Sequence, residues 1–498
     1  MNFNQVPKEV HYDDILGNRY SLSPLMYKKI QITNTVTKKL KELLVEGNEY
    51  IKGNEPGSQW YVKASDKYLI RTKALQDFSY LIYPKGDSVI PLNPRRYIRF
   101  ELKHGDILLS KDSNIGEAAI VNGDECNNAN FSSGIVKLNI KAEYSNYYIF
   151  AFLKHPLFKE QLSVLCPKGA TIQHAGDRWM ECEVPFPNQE DADTVIEWIG
   201  ECVEKIMMLE ASIASKSKEI IHLIDSELQC NQKERNYRYE YPHLQKLTKE
   251  LRLDAAIYCR EYEEKIRLIE GYKGGYWTPS EFGFSIIPGP SLEIKLLKTR
   301  IDSDTYNPGF YQLFLPTNLS EYGTVNKLQY LGTKRKLPLL KKGDILFGEA
   351  GFQKGRSIVL MEEMERCTTN AHGLYARRSE VDIKKSVFFR CIFDWYRNKR
   401  LIDLMAVGGS GGHFSPEYFE YIRIPKFRDE MIDQIVKLYD SETDFFAEKD
   451  FLKLTKQEIS VLGIIQLDRQ LKYLKNRLNL LMEDIIKGNI VDVSPCIE

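Results

Sequence analysis

The chain lacks any run of about 18 uncharged apolar residues, so no segment is suited to cross a bilayer as a helix and no membrane partner is expected. It also lacks a secretory opening: "MNFNQVPKEVHYDD" has neither the basic start nor the apolar core of a signal peptide, and a cytoplasmic location is the expectation. Cysteine is scattered, with nine residues from Cys126 to Cys496, no CxxC pair and no histidine cluster at zinc spacing. That pattern disfavours a disulfide framework and a structural metal, and leaves reduced, mostly buried thiols as the expected state. There is no GxxxxGKS or GxxxxGKT phosphate loop, which argues against ATP hydrolysis by this chain. The glycine cluster "GGSGG" (Gly408 to Gly412) follows no dinucleotide-fold strand and has no acidic ribose partner, so it reads as a turn. Asn307-Pro308-Gly309-Phe310 is similar to the Asn-Pro-Pro-Phe motif of adenine methyltransferases but departs at its third residue. No glycine-rich SAM-binding stretch precedes it, and Asn-Pro-Gly is a common turn. No catalytic constellation survives this search, and a non-enzymatic role is expected.

What is present is a repeat. The 498 residues, 43% hydrophobic and 28% charged, suffice for two or three domains. "KHGDILLSKDSNIGEAAIV" (Lys103 to Val121) returns as "KKGDILFGEAGFQKGRSIVL" (Lys341 to Leu360). "NANFSSGIVKL" (Asn128 to Leu138) falls on "TTNAHGLYARR" (Thr368 to Arg378), and "KGATIQHAGDRWMECEVPFP" (Lys168 to Pro187) falls on "GGSGGHFSPEYFEYIRIP" (Gly408 to Pro425). The openings match loosely, "YSLSPLMYKKI" over "LRLDAAIYCREYEEKI", pairing Tyr27 with Tyr258. Self-similarity at so long a period points to duplicated domains. Within each copy, β-rich runs such as "DILLS" and "AAIV" alternate with Gly, Asn and Pro turns. Helical spacing is confined to "YYIFAFLKHPLFKEQLSVL" (Tyr147 to Leu165) and its counterpart "VFFRCIFDWYRNKRLIDLM" (Val387 to Met405). The Gly-Asp before the apolar strand has a structural explanation: Gly permits the tight turn and Asp bonds its backbone.

A long helix follows each copy. Val195, Ile199, Cys202, Ile206, Leu209 and Ile213 step at alternating three and four residues, resuming at Ile220 and Leu223 or Ile224. At the C-terminus Ile464, Leu467, Leu471, Leu474, Leu478, Leu481 and Ile485 repeat the pattern, after a less regular helical stretch from about Asp429. Stripes so narrow call for a helical partner, and an antiparallel coiled coil between the two helices is the expected pairing. The chain thus reads as α+β: a first domain over 1–187, a coiled-coil helix over 188–235, a second domain over 236–426 and a helical region over 427–498. Residues 188–235 carry 11 acidic against 5 basic groups and residues 427–498 carry 14 against 10, so the rest holds a surplus of ten positive charges. Basic modules on acidic helices suit an extended polyanion. The basic residues fall near turns: Lys111, Lys168 and Arg178 in the first copy, and Lys354, Arg356, Arg377, Arg378, Lys384, Lys385, Arg397 and Arg400 in the second. For each one singly, a solvated surface cation is the competing reading.

With these features the sequence resembles the specificity (S, HsdS) subunits of type I restriction-modification systems. The likeness rests on the "GDIL" strand entry with its following "G…IV", and on the closing pattern of glycines, polar loop, aromatic or apolar residue and β-strand with Pro. Both patterns occur twice in register, each copy running into a heptad helix; the opening "SLSPLMY" departs from the "RLDAAIY" type. The resemblance implies two target-recognition domains, each reading one half of a bipartite site in double-stranded DNA, with the helices setting the spacer. It also implies docking of DNA adenine methyltransferase (M) subunits and restriction translocase-nuclease (R) subunits. SAM, ATP and Mg would then belong to those partners and no cofactor to this chain. A duplicated protein-binding adaptor, or a specificity-type subunit of another phage-defence system, remains as an alternative.

His174 and His413 occupy equivalent places in the two polar loops; a lone histidine is usually structural, but paired recurrence near basic residues is the pattern expected of loops that face DNA, where Gln173 or either His could bond a phosphate or base edge. The turn Lys111-Asp112-Ser113-Asn114 has become Glu349-Ala350-Gly351-Phe352 while the strands around it persist, as expected where different sequences are read from one scaffold. The candidate DNA-binding residues are Lys111, Asn114, Lys168, Gln173, His174, Arg178, Lys354, Arg356, Arg377 and His413. The candidate helix-seam and docking residues are Ile199, Ile206, Leu209, Ile213, Leu467, Leu471, Leu474 and Leu478.

Overall fold

A computed structural model describes residues 4–5, 7–17, 20, 27–84, 86–98, 100–123, 129–166, 176–233, 238–351, 354–408, 412–445 and 451–493. It divides into two compact units: Met1–Ala211 with Phe446–Lys456 and Arg469–Glu498, and Ser212–Phe445 with Gln457–Asp468.

The first unit carries strands β1 (Asn4–Gln5), β2 (Lys29–Ile30), β3 (Thr37–Lys39), β4 (Tyr50–Lys52), β5 (Tyr68–Ile70), β6 (Val89–Pro91), β7 (Ile107–Ser110), β8 (Ala118–Ile120), β9 (Ala129–Phe131), β10 (Ile135–Leu138) and β11 (Glu183–Pro185). Its helices are α1 (Tyr12–Gly17), α2 (Asn146–Lys154) and α3 (Pro156–Leu165), and α4 (Ala192–Cys230) begins in it. A four-stranded antiparallel sheet has the order β4-β10-β7-β8, a second sheet the order β6-β5-β9, and β11 pairs with β3. Leu75, Leu108, Ala119, Phe131 and Ile135 form the apolar core under these strands.

In the second unit α5 (Leu244–Glu250) and α6 (Arg260–Glu270) precede β12 (Tyr276–Trp277) and β13 (Phe284–Pro288), and α7 (Ile294–Leu297) precedes β14 (Ile301–Ser303). There follow β15 (Tyr311–Leu313), β16 (Gln329–Gly332), β17 (Ile345–Gly348), β18 (Ser357–Val359), β19 (Cys367–Thr368) and β20 (Gly373–Arg378). Next come α8 (Ile383–Asn398), α9 (Leu401–Met405), β21 (Ile424–Pro425) and α10 (Asp429–Tyr439); α11 (Lys456–Val461) and α12 (Ile464–Lys487) end the helical series. The sheet order is β13-β20-β17-β18, with β14-β16-β15-β19 beside it and β12 paired with β21. With β4 read as β13, β10 as β20, β7 as β17 and β8 as β18, the main sheets are the same. In each smaller sheet the first strand of a hairpin runs parallel to its other neighbour, β5 to β9 and β15 to β19. The sequence repeat is therefore a repeat of topology. The openings differ, because α6 follows Tyr258 while the short strand β2 follows Tyr27.

The repeated "GDIL" acts as an entry to the central strand. Gly105 and Gly343 both have φ 85°, which an L side chain rarely adopts. Asp106 and Asp344 accept the amide hydrogens of Lys103 and Lys341, each at 2.8 Å, and so close the turn. The helical segments differ from the sequence expectation, since each is two helices. Pro156 cannot continue α2, and His155 Nδ1 accepts the Leu157 amide at 3.2 Å to cap α3. In the second copy Arg400, at φ 62°, separates α8 from α9.

The heptad positions are buried in the unit to which each belongs. Ile199, Ile206 and Leu209 on α4, with Leu471, Leu474 and Leu478 on α12, are at most 8% exposed in the first unit. There Gln189, just ahead of α4, bonds Val491, while Glu210 bonds Lys475; the partner number falls as the α4 number rises, so the helices run antiparallel. In the second unit Ile213 and Leu467 are buried, Ile220 and Ile224 continue the stripe, and Lys216 donates to the Ser460 carbonyl at 2.8 Å.

Candidate nucleic-acid interface

In the second unit the polar loop is tied to the turn that follows the central strand. The His413 amide and carbonyl exchange bonds with Val407, the Phe414 amide donates to the Glu349 carbonyl at 2.9 Å, and Ala350 bridges to His413. The imidazole of His413 remains half exposed, with Nδ1 3.5 Å from Glu349. Two segments about sixty residues apart, each singled out from the sequence, thus meet at one edge.

The other cations of this copy sit differently. Arg356 is 3% exposed; its guanidinium donates to the Leu319 carbonyl at 2.8 Å and to Glu321. Arg377 holds Asp344 with two nitrogens, at 2.9 and 2.5 Å, and donates to the Leu339 carbonyl. That hydrogen bond to Asp344 raises the Arg377 pKa above the ordinary guanidinium value, outweighing the opposing effect of burial. Lys354 pairs with Asp403 at 3.1 Å, its side chain 8% exposed. These charges balance carboxylates inside the unit. The first copy also has a central pair, but from another position: Lys137 lies 3.1 Å from Asp106, although its register opposite Leu108 makes it the counterpart of Tyr375 opposite Leu346.

In the first unit Lys111 and Asn114 lie on the turn between β7 and β8, where Ser113 has φ 63°. Asn114 reaches the Thr72 carbonyl at 3.5 Å, while Lys111 is half-buried with no ion pair among the described residues. Arg178 is exposed at the start of the turn Arg178–Glu181, donating to the Leu165 carbonyl at 3.2 Å. Lys168, Gln173 and His174 lie outside the described residues.

Two basic turns escaped the sequence reading. After β6 the chain makes a single turn, Pro94–Arg96, in which the Asn93 side chain accepts the Arg95 amide; Arg95 and Arg96 are both exposed. After β16 comes "TKRKL", with Lys334, Arg335 and Lys336 all exposed. Near this second turn is a cavity of about 300 Å³, lined by Tyr311, Lys334, Arg335, Lys336, Leu337 and Arg366. Burial pushes the Tyr311 phenol up, but the Leu337 amide that donates to its oxygen and the positive charge of the nearby Arg366 more than offset this and leave it below the usual tyrosine value. The adjacent basic letters were legible, whereas their freedom from acidic partners was not.

No family model and no curated protein matches the chain. It is similar to the solved type I restriction-modification S subunit from M. genitalium, at 12% identity and TM-score 0.38, over 93% of this chain and 99% of that one. It is also similar to the HsdS subunit from Thermoanaerobacter tengcongensis, at 13% identity and TM-score 0.28, over 91% and 96%. A third similar chain comes from a study of complex assembly and conformational transition of the type I R-M system, at 13% identity and TM-score 0.27, over 91% and 97%.

Proposed function

We propose that this chain is the DNA sequence-recognition subunit of a type I restriction-modification complex, each repeat reading one half of a bipartite target. The observation that carries the reading is the duplication itself: one sheet order built twice, each copy leading into a heptad helix. Two copies of one scaffold that differ at their loops suit a ligand with two different half-sites. The antiparallel helices then set the spacer and offer docking surface to methyltransferase subunits. Adenine methylation, with SAM, and translocation and cleavage, with ATP and Mg, belong to the M and R partners. The chain supplies the address and they supply the chemistry.

The test is reconstitution. The purified chain alone is expected to leave DNA unmodified, and adenine methylation at one bipartite sequence is expected once a cognate methyltransferase subunit and SAM are added. Methylation by the isolated chain, or methylation whose target is unchanged when the chain is omitted, would refute the reading.

A further inference from the structure

The two basic turns occupy the same place in the two repeats. Each follows the second strand of the hairpin whose first strand runs parallel to a third: β5-β6 then Asn93 to Tyr97 in one unit, β15-β16 then Thr333 to Leu337 in the other. They also share a charge state. Arg95, Arg96, Lys334, Arg335 and Lys336 are exposed, and none of them has a carboxylate within 4.0 Å among the described residues. This sets them apart from Arg356, Arg377 and Lys354, which the fold neutralises.

Their geometry is prepared for an anion. In the first unit the Arg96 guanidinium lies over the Trp60 ring, 4.6 Å from its centroid; in the second Arg366 lies over Tyr311 at 4.4 Å. A guanidinium held close to an aromatic ring by cation–π attraction loses conformational freedom but keeps its charge, which suits binding of phosphate. Arg335 is positioned through a bond to the Leu296 carbonyl at 2.9 Å. Three neighbouring cations with no internal counter-charge repel one another, and closely spaced anions on one strand relieve that repulsion.

We infer that these two turns are the phosphate grips of the repeats, each binding the sugar-phosphate backbone of duplex DNA and fixing register while other loops read bases. The inference rests on the DNA-recognition reading above. A phosphate grip acts on every sequence alike, whereas a base-reading loop changes which sequence is preferred. That difference makes the role measurable.

The full-length chain is titrated with a 40-base-pair duplex of arbitrary sequence, by fluorescence anisotropy between 50 and 200 mM KCl. The variants are R95Q/R96Q and K334Q/R335Q/K336Q. Each is expected to weaken binding about tenfold or more at the lowest salt, and to lower the slope of log K against log salt by about 0.9 for each phosphate that is no longer neutralised. Target sequences selected from a randomised library are expected to stay as in the wild type. All five side chains are exposed, so an unchanged thermal midpoint serves as the folding control. If the wild type binds duplex and both variants keep its affinity and salt slope, the grip assignment falls while the DNA reading stands. A changed sequence preference at one half-site would also overturn it, making the turn a base reader. Intact DNA affinity with lost binding of a methyltransferase subunit would make the turns protein-docking sites instead. A wild-type chain with no salt-dependent binding to duplex would remove the DNA reading and the grips with it.

Discussion

The same helix is built on opposite principles in the two repeats. Aligned from Tyr147 and Val387, Phe150 in α2 corresponds to Arg390 in α8, and Lys154 corresponds to Asp394. Phe150 is fully buried against the Tyr80 ring, and Lys154 sends its ammonium to three carbonyls: Gln76 and Ser79 at 2.7 Å and Ala118 at 3.3 Å. In the second unit Arg390, 1% exposed, faces the Asp394 carboxylate at 3.6 Å and the Tyr439 ring at 4.9 Å. Arg397 donates to Asp394 at 2.8 Å and also meets Glu321, which Arg356 shares. One fold thus accepts a lysine held by backbone carbonyls in one copy and a five-member ion network in the other. The lesson is that strand order and helix placement constrain packing volume and leave the chemistry of the interior free.

The largest effect expected is from breaking that network. Asp394→Asn leaves Arg390 and Arg397 facing a neutral amide in a buried setting, which should cost about 3–5 kcal/mol. Lys154→Met in the first unit removes a buried charge without stranding another, and should cost less than about 1 kcal/mol at neutral pH. Urea unfolding of the full chain, with hydrogen exchange read separately at α2 and α8, resolves the two. Equal losses at both helices would mean that the network contributes nothing beyond filling space.

A second contrast lies at the shared Gly-Asp entry. Asp344 is 2% exposed and held by two Arg377 nitrogens, whereas Asp106 and Lys137 have side chains 16% and 13% exposed and a single contact. Asp344→Ala should therefore cost about 3 kcal/mol and Asp106→Ala about 1–2 kcal/mol, on the same assay. Equal losses at the two positions would show that closing the turn on the lysine amide, common to both, dominates over the ion pair.

These pairs also show where the sequence was legible. "GDIL", the period-two strands and the heptad stripes are local patterns, and each fixed an element: the turn at Gly105 and Gly343, strands β7 and β17, helices α4 and α12. The acidic partners of the cations are not local. Arg377 finds Asp344 across 33 residues, Arg356 finds Glu321 across 35 and Arg397 finds the same Glu321 across 76. A basic letter near a turn therefore does not say whether its charge faces solvent or balances a carboxylate inside. Arg95, Arg96 and Lys334 to Lys336 escape a register anchored on "GDIL", which begins several residues further on. Their shared position emerges only when the hairpins β5-β6 and β15-β16 are compared.

The smallest expected effect sharpens the comparison through pH. Burial holds the Lys154 pKa down to about 7; Lys475 and Lys159 press in the same direction, and Glu117 and Glu210 oppose. In an unfolded chain a lysine titrates near 10.4. Below pH 7 both states carry the proton, and this group gives stability no slope. Between pH 7 and about 10 the unfolded chain binds a proton that the folded one has released, so stability rises with pH and is lost again as pH falls through 7. Between pH 6 and pH 8 the gain for the first unit is about 1.4 kcal/mol, the equivalent of one pKa unit. Lys154→Met should remove it, giving a flatter profile at α2 that is at or above wild type at pH 6. Asp394 occupies the corresponding place in α8 amid fixed arginines, so the α8 profile of this variant should overlay that of the wild type. If the α2 profile of Lys154→Met keeps the wild-type slope between pH 6 and pH 8, the ammonium stays protonated in the fold. The three carbonyls and the nearby Glu117 and Glu210 would then suffice to hold a full charge there, and the lysine would be as well compensated as the arginines of the second copy.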